Sequence, residues 1–414
     1  MELATKTQRT DAEILVDFSF FIMLFTSFAF SHSFIGQAGI IFFCSVMYLF
    51  MLGRRKIHFS YYFIFSIAFI LYNLFLIREG YSINAETSMK MTKTLMINWV
   101  FAFVLYSYLI IRNDMERVLN LFVKAAFMFT FLIVLISRGD ILSTRLGINA
   151  NLSIAGIIIE YNANSIAIIS AFSYVISLYT LLLYKSKGNL LYIMINLFCA
   201  LWFVIIILLT GSRKGLIMVI LGTALLMFLL YPEKRTKNLL ISVCVLFILY
   251  SALMNVPWLY TIAGSRFETM LNAVLGKTVE EGSLMSRLHY IHLGWEYFLQ
   301  RPWTGYGLDC FRYLRYAYET YSHNNYIELL FSGGIIGFVL YYMPNLIMYK
   351  GIISLSRQAI NVFKVGFVIF LVQQATEYAS VTYFERIPLT ILIIALACLK
   401  LANKMKKASN SLSV

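Results

Sequence analysis

His323, Arg213 and Arg287 are the side chains in this sequence whose types and surroundings best suit chemistry. His323 lies in the run Ser322-His323-Asn324-Asn325-Tyr326, and its imidazole can take or give a proton near neutral pH. Arg213 stands with Lys214 in the short polar run Thr210-Gly211-Ser212-Arg213-Lys214-Gly215, between two apolar stretches. A guanidinium presents a planar fork that binds phosphate in a bidentate way, so arginines held here would suit an anionic ligand. Asn162 and Asn164 interrupt another apolar run at Glu160-Tyr161-Asn162-Ala163-Asn164. Each feature also has a plainer reading. His323 could be a satisfied interfacial histidine, Asn324 or Asn325 a helix cap, and the arginines partners of lipid phosphates or loop carboxylates. The plainer reading is preferred for Arg138 and Arg145, and the functional one for Arg213. His289 and His292 are three residues apart, but no third ligand accompanies them, so no metal is expected.

These residues are set in a chain built for lipid. Of its 414 residues, 60% are hydrophobic and 13% charged, with a mean hydropathy of +0.76. A soluble core cannot bury that much apolar surface, so the excess must face lipid or other helices in lipid. Apolar runs long enough to cross a bilayer fall near 14–31, 34–52, 59–77, 95–111, 119–137, 160–184, 190–210, 215–231, 239–254, 326–349, 360–378 and 387–401. The fold expected is an all-α integral membrane protein of about twelve transmembrane helices. The net charge of +14 is read as topological, and no nucleic-acid partner is expected. The five cysteines form no disulfide or metal pattern. The polar N-terminus lacks the features of a cleaved signal peptide.

The basic segments 54–56, 112–117, 185–187, 234–237, 350–357 and 404–407 alternate so that all fall on the side of the N-terminus. The positive-inside rule then puts both termini in the cytoplasm, and an even number of spans agrees. This divides the chain into an N-terminal bundle of about nine helices (1–254), a long outer loop (255–325), and three C-terminal helices with a basic tail (326–414). The loop has a soluble composition, and 285–299 reads as helical. Loops this long are uncommon without a function. Asn162, Asn164, Arg213, Lys214, His323, Glu377, Glu385 and Arg386 all collect at the outer end, while the middles of the spans stay apolar. Gly333 and Gly337 form a small-xxx-small pair, more often a packing device than a site.

Four ordered blocks carry a resemblance. Asn162-Ala163-Asn164-Ser165-Ile166-Ala167 looks like an Asn-x-x-Ala helix opening, and Ser212-Arg213 like a Ser-Arg turn. Ser286-Arg287 with Arg301-Pro302-Trp303-Thr304-Gly305-Tyr306-Gly307 looks like an Arg…Pro-x-x-Gly-x-Gly loop. Ser322-His323-Asn324-Asn325-Tyr326 ahead of Gly333-Gly334-Ile335-Ile336-Gly337 looks like a His-Asn…Gly-x-x-Gly block. Together, over roughly 160–340, the chain resembles the O-antigen ligase and polymerase superfamily of bacterial envelope glycosyltransferases.

The resemblance implies transfer of an undecaprenyl-diphosphate-linked glycan to an acceptor hydroxyl on the outer leaflet of the bacterial inner membrane. It implies Arg213 and Arg287 on the diphosphate and His323 on the acceptor hydroxyl. Asn164 and Asn324, with Lys214 and Asn162, would bind substrate, and no cofactor would be used. The donor lipid, a glycan or lipid A core acceptor, the bilayer and other polysaccharide assembly proteins would be the partners. The last block looks more like polymerases of O-antigen or capsule than ligases. A transporter of the lipid-linked glycan is the alternative from another class. It needs charges along a path through the bilayer, which the apolar span middles disfavour.

Overall fold

The computed structural model describes residues 10–31, 33–54, 57–137, 145–147, 151–154, 157–184, 190–275, 282–355 and 361–411. Arg138, and the basic residues Arg55, Lys56, Lys185, Lys187 and Arg357, lie outside them. Five helices open the chain: α1 (Asp11–Ala29), α2 (Phe34–Arg54), α3 (Tyr61–Arg78), α4 (Ala85–Arg112) and α5 (Met115–Ile136). A small antiparallel hairpin, β1 (Asn151–Ile154) and β2 (Ile157–Glu160), follows and departs from the all-helical expectation. Then come α6 (Ala163–Tyr184), α7 (Leu190–Thr210), α8 (Arg213–Leu230) and α9 (Arg235–Asn255). The region expected as a long loop holds α10 (Pro257–Leu259), a π-turn (Tyr260–Gly264), α11 (Ser265–Val274) and α12 (Gly282–Gln300). The chain closes with α13 (Asn325–Leu355), α14 (Asn361–Glu377) and α15 (Arg386–Ser411).

Ten of these helices are long and apolar enough to cross a membrane among the described residues: α1 to α8, α13 and α15. The other two expected positions, α9 and α14, are also helical. The outer surface of the bundle suits lipid. On α7, Leu191, Met194, Leu201 and Ile205 are exposed with Phe198 at helical spacing, while Phe203, Ile206 and Ile207 are buried. Such a stripe in water would be an aggregation site, and in a bilayer it costs nothing.

Polar side chains tie one end of the bundle together. Asp17 is buried on α1 and accepts hydrogen bonds from Tyr108 (3.0 Å), Arg112 (2.9 and 3.0 Å) and Arg117. Glu13 meets Arg54 at 2.9 Å and Arg112 at 3.3 Å. Arg54, Asn113, Lys404 and Lys407 line one cavity, so with Arg112 three of the basic segments converge at this end. A buried charge needs such pairing to offset its desolvation.

At the other end, α13 breaks at Gly334, whose φ of +60° is left-handed. The segment after α12 docks into the break through backbone hydrogen bonds. Tyr306 N–H donates to the Phe331 carbonyl (3.0 Å), Gly307 N–H to Ser332 (2.8 Å), and Ile335 N–H to Pro302 (2.7 Å). Only glycine fits here: a Cβ on Gly305 would lie 2.4 Å from the Phe331 oxygen, and one on Gly334 would lie 2.4 Å from the Trp303 carbonyl. Tyr306 and Phe331 stack at 5.0 Å, and Tyr290, Phe311 and Leu314 complete a small separate core. The two glycine motifs of the sequence are therefore two halves of one joint. Gly333 and Gly337 face Tyr72 of α3, as expected of a packing pair.

Candidate functional site

Three interruptions of the apolar pattern meet beside that joint. The first is the start of α6. Asn162 Oδ1 accepts the N–H of Asn164 (2.8 Å), an Asx-type turn that begins the helix. The second is the turn between α7 and α8. Gly211 takes φ +57°, and a Cβ there would sit 2.3 Å from the Ile262 carbonyl, so the turn is seated against the π-turn. Arg145 donates to the Thr210 carbonyl at 2.8 Å, satisfying the C-terminus of α7. Ser212 Oγ donates to Asn164 Oδ1 at 2.9 Å, which fastens the first interruption to the second.

The third is the approach to α13. Asn324 is buried, and its Oδ1 accepts from the N–H groups of Tyr326 (3.0 Å) and Ile327 (3.1 Å). It is the N-cap of α13. Ser322 N–H donates to Glu328 Oε2 (2.9 Å), which closes the cap from the other side. His323, between them, has a left-handed backbone at φ +57°. For a non-glycine residue that costs about 1–3 kcal/mol, and such strain persists only where its surroundings enforce it. Here the ring is held between Tyr321 (4.5 Å) and Tyr290 (6.0 Å).

Asn162, Asn164, Lys214, Arg287 and His323 line one cleft of about 150 Å³. Five of the seven expected site residues thus come together from four elements. The other two do not line it. Asn324 spends its oxygen on the helix cap, and Arg213 Nη1 donates to the Arg266 carbonyl at 3.3 Å, toward α11. Residues without an expected role complete the wall, among them Tyr321, Gln373, Thr376 and Glu385. Glu385 is placed by Asn325. The Oδ1 of Asn325 accepts from the N–H groups of Thr382 (2.9 Å) and Tyr383 (3.0 Å), pinning the α14–α15 turn against α13. The neighbouring Arg386 points away, donating to Asn98 at 3.4 Å.

Charge in the cleft is mostly positive. Lys214 and Arg287 face a neutral imidazole. Burial first, then the charges of Arg287 and Lys214, push the His323 ring down to about 4. Surrounding protein pushes the Glu385 carboxyl up to about 7, and Lys214 opposes that rise. Glu385 is open to solvent at the cleft mouth, so water also holds the rise in check. Such a cleft can hold an anion, hydrogen-bond a polyhydroxylated ligand, and exchange a proton near neutral pH.

Fold and cleft together define a multi-pass helical membrane protein with a cationic, hydrogen-bonding cleft at one end of its bundle. Residues 197–342, about a third of the chain, are similar to the family model described as O-antigen ligase. The matched segment runs from α7 through the docked joint on α13, so it includes Arg213, Lys214, Arg287 and His323. A search of the curated proteins finds no match to the chain.

Proposed function

We propose that the protein is a glycosyltransferase that moves an undecaprenyl-diphosphate-linked glycan to an acceptor hydroxyl on the outer leaflet, polymerising O-antigen or capsule repeat units. The observation that carries this reading is the convergence of Asn164, Lys214, Arg287 and His323 in one cleft. The cleft is the outer end, both termini are cytoplasmic, and twelve helices cross the inner membrane. That sidedness rests on the basic residues gathered at the opposite end.

The acceptor oxygen attacks the anomeric carbon, and the diphosphate leaves with the bonding electron pair. The leaving group needs its charge neutralised more than it needs a proton. Lys214 and Arg287 do this from the cleft wall, and the positive end of the α8 dipole, which carries Lys214, favours the same charge. Arg213, one residue away, joins them when its side chain turns from the Arg266 carbonyl. Asn162 and Asn164 hydrogen-bond sugar or phosphate oxygens. The neutral His323 hydrogen-bonds and orients the acceptor hydroxyl. An apolar groove of about 260 Å³ between α7, α8, α9 and α11 is lined by Leu216, Val219, Ile220 and Phe267. Its α8 wall lies within two turns of Lys214, so one isoprenoid lipid can fill the groove with its tail and the cleft with its diphosphate.

The description of the matched family favours a second reading, transfer of a finished chain to lipid A core. Reconstitution with a lipid-linked repeat unit as sole substrate separates the two. A ladder of longer lipid-linked chains is the expected result. Transfer only after lipid A core is added makes the protein a ligase. Transfer to neither acceptor removes the glycosyltransferase reading.

A further inference from the structure

The cleft contains a proton acceptor besides the histidine. Among the described residues that line it, Glu385 is the one carboxylate. It stands at the N-terminus of α15, on a turn that Asn325 fixes by two hydrogen bonds to backbone N–H groups. From α8, Lys214 faces it. From α12 comes Arg287, and from the segment before α13 come Tyr321 and His323. The wall from α6 is neutral, with Asn162, Asn164 and Ser165. The arrangement separates two tasks. The cations suit a diphosphate, and the carboxylate lines the same cleft within electrostatic reach of Lys214.

Resting on the glycosyltransferase reading, we propose that Glu385 is the general base of the reaction, and that His323 orients the acceptor hydroxyl without taking its proton. In the step, the acceptor O–H bond breaks as its oxygen forms the new bond to the anomeric carbon. The proton passes directly to a Glu385 oxygen. The bond from the anomeric carbon to the diphosphate breaks, and its electron pair stays on the leaving oxygen. Glu385 then returns the proton to water at the cleft mouth, where it is exposed. Electrostatics agree with the division. Burial, and then the two cations that serve the leaving group, make His323 a poor base with its ring near 4, whereas the Glu385 carboxyl is pushed up toward 7 with water checking the rise, so it is the better proton acceptor near neutral pH.

The test compares wild-type protein with Glu385→Gln and Glu385→Asp in proteoliposomes, using a lipid-linked repeat unit and measuring kcat, KM and their pH dependence. Removing a general base costs roughly 10²–10⁴ in rate. Glu385→Gln is expected to lose kcat in that range with KM for the donor nearly unchanged, which also reports an intact fold. The acid limb of the wild-type profile is expected to lie between the ordinary carboxylate range and about 7, and to disappear in Glu385→Gln. Glu385→Asp is expected to recover part of kcat and the limb. A Glu385→Gln protein with wild-type kcat and an unchanged limb overturns the assignment while leaving the transferase reading intact. A loss in both variants through KM alone also overturns it. A wild-type protein that forms no product overturns both.

Discussion

Ser212 Oγ and Asn164 Oδ1 lie 2.9 Å apart, and that one hydrogen bond joins two motifs 48 residues apart in the chain. It holds the opening turn of α6 against the opening turn of α8, the helix that carries Lys214. The cleft exists because these two helix starts are in register.

Ser212→Ala removes the donor from a buried serine and leaves Asn164 to find another partner. A hydrogen bond of this kind contributes about 1 kcal/mol. The expected outcome is a lowered melting temperature in detergent and about a tenfold fall in transfer. Ser212→Thr, which keeps the hydroxyl, is expected to recover most of the rate.

The arginines should differ in importance. Arg287 lines the cleft, whereas Arg213 leans on the Arg266 carbonyl. Arg287→Ala is expected to lose roughly 10²–10³ in kcat, as for other preorganised electrostatic contacts. Arg213→Ala is expected to lose about tenfold, less than a first electrostatic contact. Arg287→Lys should rescue only in part, because an ammonium cannot make the bidentate contact. Steady-state transfer rates of the three variants check the ranking.

Backbone joints should be more sensitive than their exposure implies. Gly334→Ala and Gly305→Ala place a Cβ against backbone atoms at 2.4 Å and also require a left-handed residue. A cost of about 1–3 kcal/mol or more is expected, with the 301–307 segment released from α13. Gly333→Ala meets only Tyr72 at 3.8 Å and should be tolerated. Limited proteolysis after Arg301 reads the difference.

Two cleft residues should shift stability with pH in opposite directions. His323 is held near 4 against an ordinary 6.5. Its stabilising contribution is full above 6.5 and is lost as pH falls toward 4, because the unfolded chain takes up a proton that the folded one refuses. Glu385 is raised from 4.5 toward 7, so its contribution is present below 4.5 and is lost as pH rises through 7. The two effects oppose each other in the wild type. His323→Gln should therefore gain on the wild type as pH drops from 7 to 5, and Glu385→Gln should lose on it. Thermal melts at the two pH values decide the signs.

The sequence announced the spans and the polar breaks, because a charge or amide inside an apolar run stands out against a lipid background. It could not show which side chains turn into the cleft. Asn324 and Asn325 are adjacent and chemically identical, yet one caps a helix and the other bonds a turn 57 residues away. Arg213 and Lys214 differ by one position around α8, and that rotation decides which of them lines the cleft. Glu385 was visible as an outer-end carboxylate. Its place opposite Lys214 depends on the long-range hold of Asn325, for which local pattern carries no signal. The apolar run Ile157-Ile158-Ile159, just ahead of the sixth expected span, pairs in the hairpin. Short apolar runs do not distinguish strand from helix by periodicity.

The most direct measurement is single-turnover transfer from an undecaprenyl-diphosphate-linked repeat unit by wild-type and Arg287→Ala protein, with donor binding followed in the same samples. The expected result is product from the wild type, a rate roughly 10²–10³ lower in the variant, and weakened donor binding. Equal rates and equal binding in both proteins would contradict the placement of the diphosphate in this cleft.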